Sequence, residues 1–336
     1  EDQSHLVDEL RLMADLDHPN IVQYYHASID HHERAINIWM EYCAGGSLAQ
    51  LAKRLEGGQA LAEPAARSYV YQIVRGLQYL HGNGVVHRDI KADNILMAGS
   101  IYVEVKIADF GSAKLFQGGG LVTMAGGEGG GGGRPLSARR RLSINESRSA
   151  ETAQAAAQFG SFDVPSSRRQ SVDGASLGGG GGDAHTIIGT PLWMAPEVIC
   201  PDETVRLGRR GAAKADIWSL GITVAELLMP GGEPPWPAFE SLYHAMLHIG
   251  HEKKPPRLPD GAPKSEPQPG DPKPRVSYAA VLFMRQCWQV QPMARPSATQ
   301  LLHSPWIWPL HLEHQRATAS GGGSVHRRTG LRCFCT

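Results

Sequence analysis

The sequence predicts an α+β fold, with enough chain for one large domain or for two lobes around a sizeable core. The chain of 336 residues is long enough for either arrangement. Two strand patterns, IVQYYHASI and AINIWMEY, come early, and helical patterns dominate the rest of the chain. Strands gathered in one part of a chain and helices in another are typical of α+β folds. The sequence has no run of about 18 apolar residues, so we expect no transmembrane helix.

The charge and cysteine content narrow the possible function classes. Lys and Arg together number 33, as do Asp and Glu, so the formal net charge is zero. This balance argues against nucleic acid or a membrane surface as the main partner. The five cysteines are scattered and form no C-x-x-C pair, which favours reduced thiols in a cytoplasmic protein. The chain shows no signal peptide, and because it opens on Glu1 we expect its first residue not to be the translated start.

The first elements follow from hydrophobic spacing and turn residues. Apolar residues at helical spacing predict a helix from Ser4 to Leu16, which His18-Pro19-Asn20 ends. The two strand patterns follow, joined by the polar turn DHHER. AGGSL predicts a turn into a helix, and EPAARSYVYQIVRGLQYLHGNG predicts a longer one. Pro64 suits the first turn of that helix and Gly82 its end.

Two segments interrupt the pattern in the second half of the chain. Residues 118–184 are rich in Gly, Ser, Ala and Arg, with few apolar residues to offset the entropy of ordering, so we expect a disordered insertion. Residues 255–274 are rich in proline and predict a loop. Between and after these, ADIWSLGITVAELLM predicts an apolar helix, and YAAVLFMRQCW and SATQLLHSPW predict short ones. Residues 310–336 are expected to form a loose tail.

The stretch VVHRDIKADNIL concentrates polar groups at fixed offsets between apolar residues. Phosphoryl transfer needs a carboxylate for the attacking hydroxyl, oxygen ligands for magnesium and a cation near the transferred group. Asp89 can face the hydroxyl, Lys91 the γ-phosphate, and Asn94 a magnesium ion. Asp109 follows in IADFGSA at a strand end, where a hard oxygen ligand suits magnesium. The chemistry predicted from these residues is phosphoryl transfer.

Together, H-R-D-x-K-x-x-N, D-F-G and Ala195-Pro196-Glu197 resemble the eukaryotic protein kinases. The resemblance implies a bilobal protein-kinase-like fold with a mostly helical large lobe and an incomplete small lobe. Residues 1–43 would be the remnant of the small lobe, with helix C, two strands and the hinge. Residues 44–117 and 185–309 would form the large lobe, with the catalytic and magnesium loops in the first part and the insertion between the two.

The resemblance also assigns roles to single residues. Asp89 would be the catalytic base, and Lys91 in DIK indicates the serine/threonine class. Thr190 would lie near Asp89 and help present the substrate hydroxyl. The resemblance further implies a hinge at Glu41 and Cys43, with Leu96 as the adenine floor, and a phosphate-responsive arginine at Arg88.

The resemblance also implies three structural features of the fold. Asp216 would anchor the catalytic loop, and Glu197 and Arg295 would form a buried ion pair. A stacked apolar spine would consist of Met13, Tyr24, His87 and Phe110.

Glu9 matches the helix C glutamate that pairs the ATP-binding lysine in this family, because the HPNIV proline follows at the usual offset. The chain begins inside or just before helix C, so we expect the Gly-rich loop and the V-A-I-K strand to be absent from it. Because that loop and lysine position the phosphates of ATP, we expect this chain alone to be incomplete as an enzyme. VEVK, which ends at Lys106, leads straight into Asp109 and is therefore not the lysine strand. The glycine run at 126–133 matches G-x-G-x-x-G by composition only.

HPNIVQYY, MEYCAGGSL, ADFGSAK and GTPLWMAPEVI most resemble the mitogen-activated protein kinase kinase kinases. The family phosphorylates kinase kinases and is itself activated by an upstream kinase, so both are the expected partners. Ser143 and Ser171 follow arginines as basophilic sites do; the alternative is that these arginines only keep a disordered loop soluble. Thr186 is the better candidate for an activating phosphosite. The alternative is a catalytically impaired kinase-like scaffold that lacks the ATP-binding lysine.

Overall fold

The computed structural model describes residues 16–30, 35–55, 58–99, 103–115, 190–200, 209–268 and 271–319. Within these ranges the chain forms both helices and small antiparallel sheets, as an α+β fold requires. The predicted helix up to residue 15, the insertion over 118–184 and the end of the predicted tail after Ala319 lie outside the described residues. The predictions for Glu9, Met13, Ser143, Ser171 and Thr186 also fall there.

The two predicted strands form an antiparallel hairpin. Strand β1 is Tyr24–Asp30 and strand β2 is Ala35–Met40, and they pair from Tyr24 with Met40 to Asp30 with Ala35. The prediction had begun the first strand at Ile21, but Ile21 and Val22 pair elsewhere. The Val22 N–H donates to the carbonyl of Ile107 at 3.0 Å, so this segment binds the strand that precedes the D-F-G motif.

Helices α1 (Leu48–Arg54) and α2 (Glu63–Gly82) follow the hairpin. A reciprocal capping box starts α1, because Ser47 and Gln50 each accept the other's backbone N–H. The bounds of α2 confirm the predicted roles of Pro64 and Gly82. The helix buries an apolar stripe at i, i+3 and i+4 spacing against the core, made of Ala66, Val70, Ile73, Val74, Leu77 and Leu80.

Four short strands carry the polar motifs. Strands β3 (Val85–Val86) and β6 (Lys114–Leu115) pair with each other, as do β4 (Ile95–Ala98) and β5 (Glu104–Ile107). The H-R-D segment follows β3, and a 3₁₀ turn over Ala92–Asn94 leads from it into β4. Asp109 follows β5. The two predicted magnesium ligands are Asn94, just before β4, and Asp109, just after β5. The pairing of β4 with β5 therefore fixes their separation in space.

The second half of the chain is built around one buried helix. Helix α3 is Pro196–Ile199, α4 is Arg209–Leu228, and α5 is Leu242–Met246. Helices α6 (Tyr278–Cys287) and α7 (Ala298–Leu301) complete this part. Nearly every residue of α4 from Asp216 onward is buried, as expected for a helix that is apolar all round. A side chain at Gly221 would meet the Cβ of Cys287 at 2.6 Å, so glycine permits the close contact with α6.

The prediction of a loose tail is wrong for its first part. Helix α8 occupies Trp308–Ala319. The sequence of this segment looks polar because histidines make its contacts. The ring centroids of His311 and His314 lie 6.1 and 6.2 Å from that of Tyr71. Leu310 adds an apolar contact with the core. Hydrophobic periodicity misses such a helix, since imidazole rings pack as aromatics while counting as polar. No helix in the described parts of the chain is long and apolar enough to cross a membrane.

Candidate active site

The backbone of the H-R-D segment is anchored by a buried carboxylate. The backbone N–H groups of His87 and Arg88 donate to Asp216 at 2.9 and 2.8 Å, and His81 Nε2 lies 2.7 Å from the same side chain. Burial alone would raise the pKa of Asp216, but the hydrogen bond and charge of His81 outweigh it and the pKa is lowered. Asp216 therefore stands where the motif comparison put it, and His81 is a partner that sequence reasoning missed.

Asp89 is buried at the centre of the site with both carboxylate oxygens engaged. Its Oδ1 accepts from the backbone N–H and the hydroxyl of Thr190, at 3.2 and 3.1 Å. Its Oδ2 accepts from Lys91 Nζ at 2.7 Å and from Asn94 Nδ2 at 2.9 Å. Burial raises the pKa of Asp89, while the charge and hydrogen bond of Lys91 lower it more, so the net shift is downward. The group is an ionised acceptor at neutral pH.

Lys91 joins the two predicted catalytic partners. Its Nζ lies 2.7 Å from Asp89 Oδ2 and 2.6 Å from Thr190 Oγ1. Thr190 belongs to a segment 99 residues further along the chain, where a 3₁₀ turn over Pro191–Trp193 follows it. The fold thus brings Asp89, Lys91 and Thr190 into one hydrogen-bonded group, with a cation and a carboxylate at the same place.

Asn94 and Asp109 present the oxygen chemistry that magnesium prefers. Asn94 Nδ2 donates to the carbonyl and to the carboxylate of Asp89, at 2.8 and 2.9 Å, which turns its amide oxygen the other way. Asp109 is exposed, has a left-handed φ of 62° and accepts the Gly111 N–H at 3.3 Å. The described residues hold no cluster of three or more His, Cys, Asp or Glu side chains that could bind a metal alone. Two protein oxygens plus substrate phosphates fit magnesium, which keeps few protein ligands.

Aromatic contacts connect the hairpin to the two loops. The Phe110 ring lies 5.0 Å from His87 and 6.1 Å from Tyr24, both edge-on, and His87 Nε2 lies 3.0 Å from the carbonyl of Ala108. These are three of the four predicted spine positions. Phe110 is fully buried, so the residue beside Asp109 is held in the core.

The predicted hinge continues directly from β2. The Glu41 N–H donates to the carbonyl of Gln23 at 2.8 Å, while Tyr42 is 87 % exposed. Burial and the nearby Glu41 carboxylate raise the pKa of the half-buried Cys43. Leu96, the predicted adenine floor, is half-buried on β4 opposite Lys106. Lys106 turns toward the hinge and lies 3.0 Å from Glu41 Oε2.

Glu226 is a buried carboxyl group of this region that motif comparison missed. Its Oε2 accepts from the indole N–H of Trp193 at 2.9 Å and from the backbone N–H of Ala92 at 3.3 Å. It therefore links helix α4 to the catalytic loop and to the segment after Thr190. Burial raises the pKa of Glu226 to about 8, against the effect of its two donors. The one available signal was an acid at the apolar end of a helix that reads AELL.

The predicted ion pair between Glu197 and Arg295 is formed in bidentate geometry. The guanidinium donates to the two carboxylate oxygens at 2.6 and 2.8 Å, and it lies 5.0 Å from the Trp218 ring centroid. The Arg295 side chain is 0 % exposed. Fork-to-fork pairing of this kind fixes orientation as well as charge, so the pair ties α3 to the segment before α7.

Comparison with known proteins gives the family. The protein kinase domain family matches residues 1–128 and 170–307, and the chain belongs to this family, whose fold is bilobal. The resemblance to mitogen-activated protein kinase kinase kinases is also confirmed. The chain is 33% identical over 302 residues to MAP kinase kinase kinase SSK2 of Saccharomyces cerevisiae, and 32% identical over 300 residues to mitogen-activated protein kinase kinase kinase 3 of Arabidopsis thaliana.

A human relative, mitogen-activated protein kinase kinase kinase 3, is 31% identical over 296 residues. These alignments cover 88–89% of this chain but only 16%, 34% and 33% of the yeast, plant and human proteins. The chain therefore spans between about a sixth and a third of the length of the curated relatives it matches.

Proposed function

We propose that the chain carries the catalytic part of an ATP-dependent protein serine/threonine kinase that phosphorylates kinase kinases in a mitogen-activated cascade. One observation carries the proposal: Asp89, Lys91, Thr190 and Asn94 form a single hydrogen-bonded group around an ionised carboxylate. A general base must lie within hydrogen-bond reach of the hydroxyl it serves. In this group Asp89 is the residue that can take that proton.

The proposed mechanism assigns one task to each side chain. Asp89 orients the serine or threonine hydroxyl and accepts its proton, and Thr190 holds the substrate segment beside it. Lys91 offers positive charge where the transferred group passes. Bound ATP and magnesium would supply the phosphoryl group and offset its negative charge. Asn94 and Asp109 are the residues that would hold the metal.

We propose that the adenine end lies at the hinge. The backbone of Glu41 and Cys43 would hydrogen-bond the base, and Leu96 would lie below the ring. Glu9, outside the described residues, would pair the ATP-binding lysine, a residue that the sequence of this chain does not supply. In this division residues 1–43 belong to the small lobe and residues 44–117 and 185–309 to the mostly helical large lobe, with the insertion between them.

The substrate and the setting are inferred from the relatives. The printed names of the matched proteins are kinase kinase kinases, which supports a kinase kinase as substrate and an upstream kinase as activator. Arg88, beside the catalytic base, is the residue we propose to respond to an activating phosphate. The cysteines that the structure describes, Cys43, Cys200 and Cys287, are free, which supports a cytoplasmic setting.

The experiment that tests this function is transfer of labelled phosphate to a kinase-inactive kinase kinase by a chain extended upstream with the strands that would carry the Gly-rich loop and the ATP-binding lysine. The Asp89→Asn variant of the same chain serves as the blank, and Asp93→Asn, an exposed carboxylate of the same loop, is the matched control. We expect Asp89→Asn to lower turnover by roughly 10²–10⁴-fold and Asp93→Asn to leave it close to wild type. Wild-type transfer no higher than the blank, together with binding of the kinase kinase, would instead favour the scaffold alternative.

A further inference from the structure

Lys106 has a specific partner that the proposed reaction does not use. It lies on β5, three residues before Asp109, and its Nζ is 3.0 Å from Oε2 of Glu41 at the hinge. The side chains are 12 % and 25 % exposed, so both charges are largely withdrawn from water. An ion pair in this setting is screened less than a surface pair.

The backbone beneath this ion pair joins the same two places. The Glu41 N–H donates to the carbonyl of Gln23 at 2.8 Å, and the Gln23 N–H donates back to Glu41 Oε2 at 3.3 Å. The segment before Gln23 is bound in turn to β5, because Val22 and Ile107 are hydrogen-bonded at 3.0 Å. Lys106 thus spans this segment from β5 and reaches the hinge on its far side.

Lys106 is also placed beside the proposed adenine floor. It is the direct partner of Leu96 in the antiparallel pair of β4 and β5, and residues directly opposite in such a pair point to the same face of the sheet. One lysine therefore touches the hinge acid, lies next to the floor residue and precedes the proposed magnesium ligand. In a bound nucleotide, the edge of the adenine would lie at the hinge, the face of its ring on the floor residue, and the phosphates near the proposed magnesium ligand.

We propose that Lys106 is a positioning residue for nucleotide binding, which holds the hinge in register with the strand that leads to Asp109. The inference rests on the proposed kinase function. Without the ammonium group, the Glu41 carboxylate would remain partly buried with only one backbone donor, an arrangement that costs free energy. The hinge backbone would then relax away from Gln23, and the binding site for the base would lose its fixed geometry.

Two measurements on the upstream-extended chain of the phosphotransfer assay test this inference. One is the affinity for a fluorescent ADP analogue with magnesium, and the other is amide hydrogen exchange in the hinge peptide that contains Glu41 and Cys43. We expect Lys106→Met to weaken ADP binding about tenfold, a loss that corresponds to about 1.4 kcal/mol, and to speed exchange at the hinge. Lys106→Arg, which keeps the charge, should retain most of the ADP affinity and most of the protection from exchange at the hinge.

The matched control is Lys254→Met, which removes an exposed lysine paired with Glu252 at 2.9 Å. We expect this variant to bind ADP and to exchange as wild type does. The exchanged-charge variant Lys106→Glu with Glu41→Lys should protect the hinge better than Lys106→Glu alone.

Hinge exchange in Lys106→Met no faster than in the control would overturn the inference, as would equal ADP affinity. If the wild-type chain binds no ADP, the proposed function fails and nucleotide positioning fails with it. A specific failure of the inference looks different, because ADP then binds wild type and Lys106→Met alike.

Discussion

Asp216, deep in helix α4, accepts the backbone N–H of Arg88 at 2.8 Å, and Arg88 has a left-handed φ of 70°. A residue other than glycine in that region costs on the order of 1–3 kcal/mol and persists only where its surroundings impose it. Asp216 imposes it here, with a second hydrogen bond from His87. The carboxylate on α4 therefore sets the direction in which the next residue, Asp89, leaves the chain.

Replacing Asp216 by Asn should destabilise the fold and disorder the catalytic loop. The asparagine amide keeps one acceptor oxygen and turns an N–H group toward a backbone donor or His81. The free energy of unfolding should therefore fall by roughly 3–5 kcal/mol, as for a broken buried charge pair. Urea unfolding measures it, with Asp93→Asn as the control in the exposed part of the same loop. A loss below about 1 kcal/mol would contradict the anchoring role.

Thr190→Val should lower turnover while leaving nucleotide affinity unchanged. Valine keeps the backbone N–H bond to Asp89 but removes the hydroxyl that Lys91 and Asp89 share. Misplacement of the base and cation should reduce kcat by about 10²-fold, whereas Thr190→Ser should retain most of it. Steady-state kinetics with varied ATP separates the two effects, and a rise in the KM for ATP with unchanged kcat would argue against this placement.

Residues with motif-specific spacing could be predicted from the sequence, because each motif needs several residue types together. Asp89, Lys91 and Thr190 converge, and Arg295 reaches Glu197. The placement of Asp216 beneath the H-R-D backbone is also as expected. Their exact metal and nucleotide roles stay predictions.

Contacts that depend on tertiary packing could not be predicted in this way. The sequence indicated that Lys106 is not the ATP-binding lysine, because its strand leads into Asp109. Its pairing with Glu41 could not be predicted, since it depends on a segment that crosses between them. Glu226 is a single acid in an apolar helix, and only burial gives it a shifted pKa. Helix α8 was missed since its packing uses histidine rings.

Removing one partner of the Glu197–Arg295 pair should cost roughly 3–5 kcal/mol, because the other charge is left in a buried place. Arg295→Met is the informative change, since it keeps most of the side-chain volume against Trp218. The double variant with Glu197→Met should recover part of the loss. Thermal or urea unfolding checks this, with Lys254→Met at the exposed pair as the control. An Arg295→Met variant as stable as this control would contradict the prediction.

Glu226 should make stability fall as pH rises. Its folded-state pKa of about 8 lies above the ordinary value of 4.5, so the folded protein holds a proton that the unfolded chain has lost. The stabilisation is complete below about pH 4.5 and decreases, by up to about 1.4 kcal/mol per pH unit, until about pH 8. Glu226→Gln should flatten this slope when unfolding is measured from pH 5 to 8. Parallel pH profiles for the two proteins would show that the group titrates normally.

Helix α8 is held by imidazole groups that face positive charge. His311 lies against Tyr71 of α2 and against His303 and Trp308, with ring centroids 6.1, 5.7 and 5.4 Å away. Burial lowers the pKa of His311, and the charges of His303 and Arg75 lower it further. For His314 the cause is again burial first, followed by Arg75 and His311. Both groups are therefore neutral when the helix is docked.

Acidification should release α8 before the rest of the fold. Because the folded pKa values lie below the ordinary 6.5, the contribution to docking is present above pH 6.5 and is lost as pH falls through the lowered values. Protonated rings would then repel Arg75. Amide protection over Trp308–Ala319, corrected for intrinsic exchange, should fall between pH 7.5 and 5.5. Leucine at both His311 and His314 should remove most of this dependence, whereas His251→Leu, at an exposed position, should not. Equal pH dependence in all three proteins would mean that the histidines do not hold the helix.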